Sequence, residues 1–232
     1  MKSKKPKLSV LTVTMRNGWE EIAKESLARQ TFKDFEWIVI SENKVNVPYF
    51  PAPPKKNKSN LVASDNEGLR RCRGDYVVFY QDFIWLPDDC LERLYNEADP
   101  NTFVTTLTIN PPGVERDPRG VVGEGVKYCA PEEWEANVGL APMGVVRYLG
   151  GIDEDYDQGW AWDNCNLAVR AAMIGCQFKI DQNNNPRLLP HAPKPRGLEP
   201  NGDFHASRIR EIEEGVFPLR LNYLSGKQNE TK

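Results

Sequence analysis

The sequence predicts an α/β protein in which a mostly parallel central sheet is flanked by helices, within a single domain. Three observations predict it. Strand, helix and strand patterns succeed one another within Leu8–Ile40, the order of a parallel βαβ unit with a right-handed crossover. Tyr76–Tyr80 is a short run of β-branched and aromatic residues behind a glycine turn, which reads as a buried strand. An acid, Asp82, then stands where this strand gives way to a loop, and Pro87-Asp88-Asp89 opens a helical segment, Cys90–Leu94, with Pro and acids where a helix N-terminus favours them. Open α/β sheets bind ligands at the carboxyl ends of their strands. A carboxylate there is placed to hold a metal ion that a substrate phosphate also binds; a solvated loop acid is the competing reading.

The other elements follow in order. Leu8–Thr14 alternates and is rich in β-branched residues, which makes it the first strand. Arg16-Asn17-Gly18 is a turn, and Trp19–Gln30 carries Ile22, Ala23, Leu27 and Ala28 at helical spacing. Phe35–Ile40 is a second strand, ending at Ser41-Glu42-Asn43. No Gly-x-Gly-x-x-Gly follows the first strand, so a dinucleotide fingerprint is absent. Residues 44–60 gather Pro48, Pro51, Pro53 and Pro54, then Lys55, Lys56 and Lys58, and read as a solvated loop. Asn66–Arg73 is a short helix feeding the central strand, and Phe103–Ile109 is a strand closed by Pro111-Pro112-Gly113. Leu149–Glu154 is a tight turn before the acidic and aromatic stretch Asp155–Asp163. Asn166–Gly175 reads as a helix with Gly175 as its stop, Phe178–Ile180 and Arg187–Leu189 as short strands, and His205–Glu214 as a final helix. Ala192–Gly202 is rich in Pro and Gly and basic at Lys194 and Arg196; residues 225–232 form a tail without a packing pattern.

A chain of 232 residues is long enough to bury a sizeable core. Its net charge of −3 excludes a globally basic nucleic-acid binder but not a local basic patch. No apolar run approaches the ~20 residues needed to span a bilayer, and the basic start, residues 1–7, leads into a strand rather than a signal-peptide core. Five cysteines, at 72, 90, 129, 165 and 176, make an odd set without a Cys-x-x-Cys pair. That pattern argues for reduced thiols in a cytoplasmic protein and against a structural zinc site.

In combination these landmarks resemble a family 2-type glycosyltransferase with the GT-A fold. The resemblance covers residues 8–195. It is carried by the opening strand with Arg16-Asn17, the helix end Ser26–Phe32, and Phe35–Glu42. It continues through Asn66-Glu67-Gly68, Gly74–Phe79, Trp85-Leu86-Pro87, Gly150–Glu154, and Leu167–Arg170 with Gly175. It implies a Rossmann-like sheet, with residues 8–109 as the nucleotide-sugar half and 110–215 as the acceptor half and C-terminal lid. A tail of residues 1–7 precedes that domain, and a partly disordered extension, 216–232, follows it. By register from Trp85-x-Pro87, the family's Asp-x-Asp falls on Tyr80-Gln81-Asp82, so only the second acid remains. Ser41-Glu42 stands where the family has two acids for base and ribose, Asp65 where it often has Arg, and Asp163-Asn164 at its acidic pair.

The resemblance implies a sugar nucleotide as donor, a UDP-sugar first among them, with Mn²⁺ or Mg²⁺ to offset the charge of the leaving diphosphate. Thr12, Thr14, Arg16, Glu42, Asp65, Asn66, Gln81 and Asp82 would then line the donor site, with Lys194 and Arg196 folding over the diphosphate. Asp82 and His191 are the candidate metal ligands, with His205 as the rival imidazole; a turn histidine and a solvated basic loop are the plainer readings. Asp163 is the candidate general base, although a helix N-cap would also explain an Asp there. Trp160 and Trp162 are placed to stack on an acceptor ring, or to pack in the core. The remaining motifs favour inversion over retention. The acceptor stays open among saccharide, lipid head group, protein side chain and nucleic-acid base, with residues 110–148 expected to hold its determinants. Two further function classes compete: a degenerate binding module without turnover, suggested by Tyr80 and Asn164, and a nucleotidyltransferase, which usually has a Gly-rich basic loop missing here.

Overall fold

A computed structural model describes residues 5–110, 124–190 and 200–225. In chain order the elements are β1 (Leu8–Thr14), α1 (Glu20–Arg29), β2 (Phe35–Ser41), β3 (Phe50–Pro51), α2 (Leu61–Arg71), β4 (Tyr76–Tyr80), β5 (Ile84–Trp85) and α3 (Cys90–Asn96). They continue with β6 (Thr102–Thr106), β7 (Val126–Tyr128), β8 (Val138–Pro142), α4 (Met143–Tyr148), α5 (Asp163–Met173), β9 (Gln177–Asp181), β10 (Arg187–Leu188) and α6 (Gly202–Glu213). Among the described residues no helix is long and apolar enough to cross a membrane.

Eight of the described strands form one sheet in the order β3-β2-β1-β4-β8-β6-β9-β7. The pairs β1–β2, β1–β4, β2–β3 and β6–β9 are parallel. β8 runs antiparallel to both β4 and β6 between them, which leaves β6 and β9 parallel to β4. The carboxyl ends of β1, β2, β4, β6 and β9 therefore share one edge.

Both faces of the sheet are covered, as parallel strands require. Leu8, Val10, Val39, Val78, Tyr80 and Leu140 pack with Trp19, Leu27, Leu91 and Leu94 of the α1–α3 side. Leu11, Ile40, Val77, Phe79 and Phe103 pack with Leu69, Val146, Leu167 and Ala168 of the α2–α4–α5 side. The period-2 alternation of β1 decides which residue joins which layer.

Several boundaries differ from the sequence reading. Helix α2 begins at Leu61 rather than Asn66 because its first turn is capped from far along the chain. The Asp157 carboxylate accepts hydrogen bonds from the N–H groups of Val62 and Ala63 at 2.9 and 3.0 Å, while the Asn60 amide donates to the Pro53 carbonyl. Strand β6 stops at Thr106, since Leu107 and Ile109 donate to the carbonyls of Asn184 and Pro186 instead. Helix α5 begins at Asp163, not Asn166. Strands β7 and β8 and helix α4 lie in a stretch for which the sequence reading drew no elements.

The Gly150-Gly151 turn joins three parts of the fold. Both glycines have positive φ, 77° and 96°, and a Cβ at Gly150 would lie 1.6 Å from the Leu221 carbonyl oxygen. Arg170 of α5, fully buried, donates to the carbonyls of Leu149, Gly151 and Leu219 and to Asn166 Oδ1. Burial lowers its pKa to about 10. Leu221 N–H donates to Leu149, and Arg70 to the Tyr223 carbonyl. Residues 216–225, expected as part of a partly disordered extension, are thus stitched onto the α2–α4 face.

Candidate active site

The carboxyl edge of the sheet collects Thr14, Arg16, Glu42, Gln81 and Asp82 of the ten predicted donor residues. Thr14 ends β1, and Asp82 follows β4, the neighbouring parallel strand. Thr14 Oγ1 donates to Asp82 Oδ2 at 2.7 Å and Arg16 donates to Asp82 Oδ1 at 2.9 Å. Both partners are largely sheltered, the Arg16 side chain being 20% exposed and that of Asp82 10%. The Arg16 guanidinium also lies 5.8 Å from the centroid of the Phe83 ring, within cation–π range. Phe83 itself is held at φ 59°, a conformation that costs a non-glycine residue energy and clusters at functional sites.

Glu42, after β2, pairs with Lys55 at 3.1 Å. Gln81 is exposed, and its N–H donates to the Asn137 carbonyl. Asp65 lies on the first half of α2. Burial, reinforced by the nearby carboxylates of Asp163 and Asp157, pushes its pKa well above the usual range. The same burial raises Asp157, against the two backbone bonds from α2 that lower it.

Two predicted donor residues are buried within the scaffold. Thr12 is 0% exposed and its hydroxyl accepts from Trp37 Nε1 at 3.1 Å. Asn66 is likewise 0% exposed; its amide donates to the Ile152 carbonyl and accepts from the Ile152 N–H. Each holds the scaffold and neither reaches the edge. His191, Lys194 and Arg196 lie outside the described residues.

The stretch that leads into α5 is built on strain. Ala161 and Trp162 have φ of 65° and 72°, and they place Asp163 as the first residue of α5 with Trp162 at the N-cap position. Asp163 is therefore not the N-cap, and the helix dipole favours its negative charge. Asn164, where the family's second acid would stand, donates to the Trp134 carbonyl at 3.1 Å. Trp162 is 41% exposed and stacks on His205 of α6 at 5.1 Å between ring centroids. Trp160 is half-buried, and its carbonyl accepts from Asn201 N–H.

Sequence reasoning missed Asn201, Tyr156 and the real place of His205. Asn201 donates to the carbonyls of Tyr156 and Ala161, and the Tyr156 hydroxyl lies 2.8 Å from His205 Nδ1. His205 is thus an aromatic prop for Trp162. Burial lowers its pKa below 6.5, so the unfolded chain binds this proton more readily than the folded one. Stability is therefore expected to be complete above about pH 6.5 and to fall as the pH drops through that value. Urea midpoints at neutral and mildly acid pH would show it, and His205→Gln should flatten the difference. An equal acid loss in the variant would assign the slope to other groups.

A divalent cation fits these residues poorly. Tyr80 replaces an acid and is buried, its hydroxyl donating to the Ile84 carbonyl at 2.6 Å. Both oxygens of Asp82 already accept hydrogen bonds, and a guanidinium sits beside them. A second cation there would meet repulsion of several kcal/mol. Among the described residues no group of three or more His, Cys, Asp or Glu side chains could hold a metal ion.

An eight-stranded, mostly parallel sheet with an antiparallel strand between β4 and β6, and acids at its carboxyl edge, is a GT-A fold. Solved structures bear this out. The chain is similar to GalNAc-T7, solved with UDP, GalNAc and Mn²⁺, at TM-score 0.68 and 12% identity over 94% of this chain and 52% of that one. It is similar to residues 1–349 of S. aureus TarS with UDP, at TM-score 0.63 and 14% identity over 89% and 64%. It also resembles the mannosyltransferase PcManGT from Pyrobaculum calidifontis with GDP-Man and Mn²⁺, at TM-score 0.60 and 18% identity over 91% and 62%. The chain spans less than two thirds of the length of each of these three. No protein-family model matches it, and no curated protein matches its sequence.

Proposed function

We propose that the chain is a glycosyltransferase that moves a sugar from a nucleotide-sugar donor, a UDP-sugar first among candidates, to an acceptor hydroxyl. The observation that carries this reading is the paired Arg16–Asp82 site at the carboxyl ends of β1 and β4, where open α/β sheets bind their ligands, with the charge-coupled Asp65 and Asp163 near the same edge. Residues 8–109 supply the donor side, and 110–215 supply the acceptor side and the lid.

In this reading Asp163 takes the proton of the acceptor hydroxyl as its oxygen attacks the anomeric carbon. The remaining family-like motifs favour inversion. Trp162 offers an exposed ring face on which an acceptor sugar can stack, steadied from behind by His205. A divalent ion, as in the Mn²⁺ complexes of GalNAc-T7 and PcManGT, would have only Asp82 to hold it among the residues gathered here. Five free cysteines support the cytoplasm as its compartment.

A second reading rests on Asn164 and Tyr80, whose polar groups are engaged by Trp134 and Ile84. With those two acids gone, the fold would serve as a nucleotide-sugar binding module. Calorimetry with UDP-GlcNAc, UDP-glucose, UDP-galactose and GDP-mannose, paired with assays for donor consumption, separates the two. Turnover supports the transferase, and binding without turnover supports the module. Binding of none of them would overturn both.

A further inference from the structure

We propose that Arg16 provides the positive charge that steadies the departing nucleoside diphosphate, so that donor binding and transfer need no divalent cation. The inference rests on the transferase reading above and concerns the same site.

Arg16 is fixed along its whole length. Its N–H donates to Thr14 Oγ1 at 3.1 Å, and its carbonyl accepts from Trp19 Nε1 at 3.1 Å. Trp19 is fully buried beneath it. The side chain is then held by Asp82 on one side and by the Phe83 ring on another. A guanidinium has five N–H donors in a planar fork, and Asp82 takes one of them among the described contacts. The others remain for an anion at the strand ends, and a planar donor fork matches phosphate oxygens in pairs.

The acids point the same way. A cation site needs several oxygen ligands that are free to face the ion. Here the first acid position is a tyrosine turned into the core, and the second is occupied as the counter-ion of an arginine. Asp82 is therefore a positioning residue: it orients the guanidinium and limits the local positive charge. As the bond between the anomeric carbon and the β-phosphate oxygen breaks, its electron pair stays on that oxygen and the diphosphate gains negative charge. The Arg16 guanidinium balances that charge, the acceptor oxygen forms the new bond to the anomeric carbon, and its proton passes to Asp163. A fixed cation already in place needs no rearrangement at that moment.

The test is UDP binding by calorimetry to the full chain, in EDTA and in Mn²⁺, with donor turnover measured in parallel. The expected affinity is the same in both media within about threefold. Arg16→Ala should weaken UDP binding by ~10- to 100-fold, the scale of charge-assisted hydrogen bonds. Arg16→Lys should keep part of the affinity, because the charge survives and the fork does not. Asp82→Asn should do less harm than Arg16→Ala, the reverse of the order a metal ligand would give. UDP binding that occurs only with Mn²⁺ would overturn the inference and leave the transferase reading standing. An Arg16→Lys variant that binds UDP as wild type does in EDTA, together with an unaffected Arg16→Ala, would also overturn it. Absence of binding by both UDP and GDP under every condition would overturn both. Should Arg16→Ala fail to fold, the wild-type EDTA comparison and Arg16→Lys decide the matter.

Discussion

Asp163→Asn is expected to lower glycosyl transfer by ~10²-fold or more while UDP binding stays within about twofold of wild type. That is the scale of a lost general base, and an amide cannot take the acceptor's proton. The geometry makes the substitution a clean one. Asp163 is the first helical residue of α5, and the N-cap position belongs to Trp162, so the change removes a charge and not a cap. Asn164 cannot take over, since its amide is anchored to the Trp134 carbonyl. Circular dichroism should be unchanged, and product linkage read by NMR against the donor's anomeric configuration reports the stereochemical course. Near-normal turnover in Asp163→Asn would remove this carboxylate from the chemistry.

Arg170→Ala is expected to cost about 3–5 kcal/mol of stability, from the buried volume it vacates and the hydrogen-bond acceptors it leaves unsatisfied. It would strip hydrogen bonds from the carbonyls of Leu149, Gly151 and Leu219, and from Asn166. The Gly151 carbonyl and Asn166 Oδ1, both buried, would lose the donor they have here. Arg170→Met, which keeps much of the volume, should recover the packing part alone. Urea unfolding measures both, and a loss below about 1 kcal/mol in Arg170→Ala would show that these carbonyls find other donors.

Much of the scaffold was legible because local pattern and tertiary role coincide in it. Strand β1 has the bounds its β-branched alternation implies, and β4 ends where the acid-bearing loop was expected. Strand β8 was not legible. Val138-Gly139-Leu140-Ala141-Pro142 is buried along its whole length, so it has no alternation, and its Gly and Pro read as turn signals. Only its place between β4 and β6 makes it a strand.

The site divides in the same way. Thr14, Arg16 and Asp82 could be placed together because they close neighbouring parallel strands. Thr12 and Thr14 point to the same face, and nothing local says that Trp37 covers the first and leaves the second to Asp82. Asp157 capping α2 and His205 bracing Trp162 are pairings across large sequence separations. A linear reading has no signal for them, although the run Asp155–Asp163 showed that acids and aromatics were concentrated there.

The seam at Gly150 has a consequence for how the protein is made. The carbonyl that fills the space a Cβ would need belongs to Leu221, and one of the partners of Arg170 is Leu219. Translation delivers both after almost everything they touch. Until they leave the ribosome, the guanidinium has water on one side, and the turn it anchors is closed only in part. Closure of the Gly150 turn should therefore wait for residues 219–221, which drop into place like a latch. A chain stopped after Gly215 is expected to be cut by protease near the Gly150 turn far faster than the full chain. Equal resistance would mean that the nascent fold is already complete without its latch.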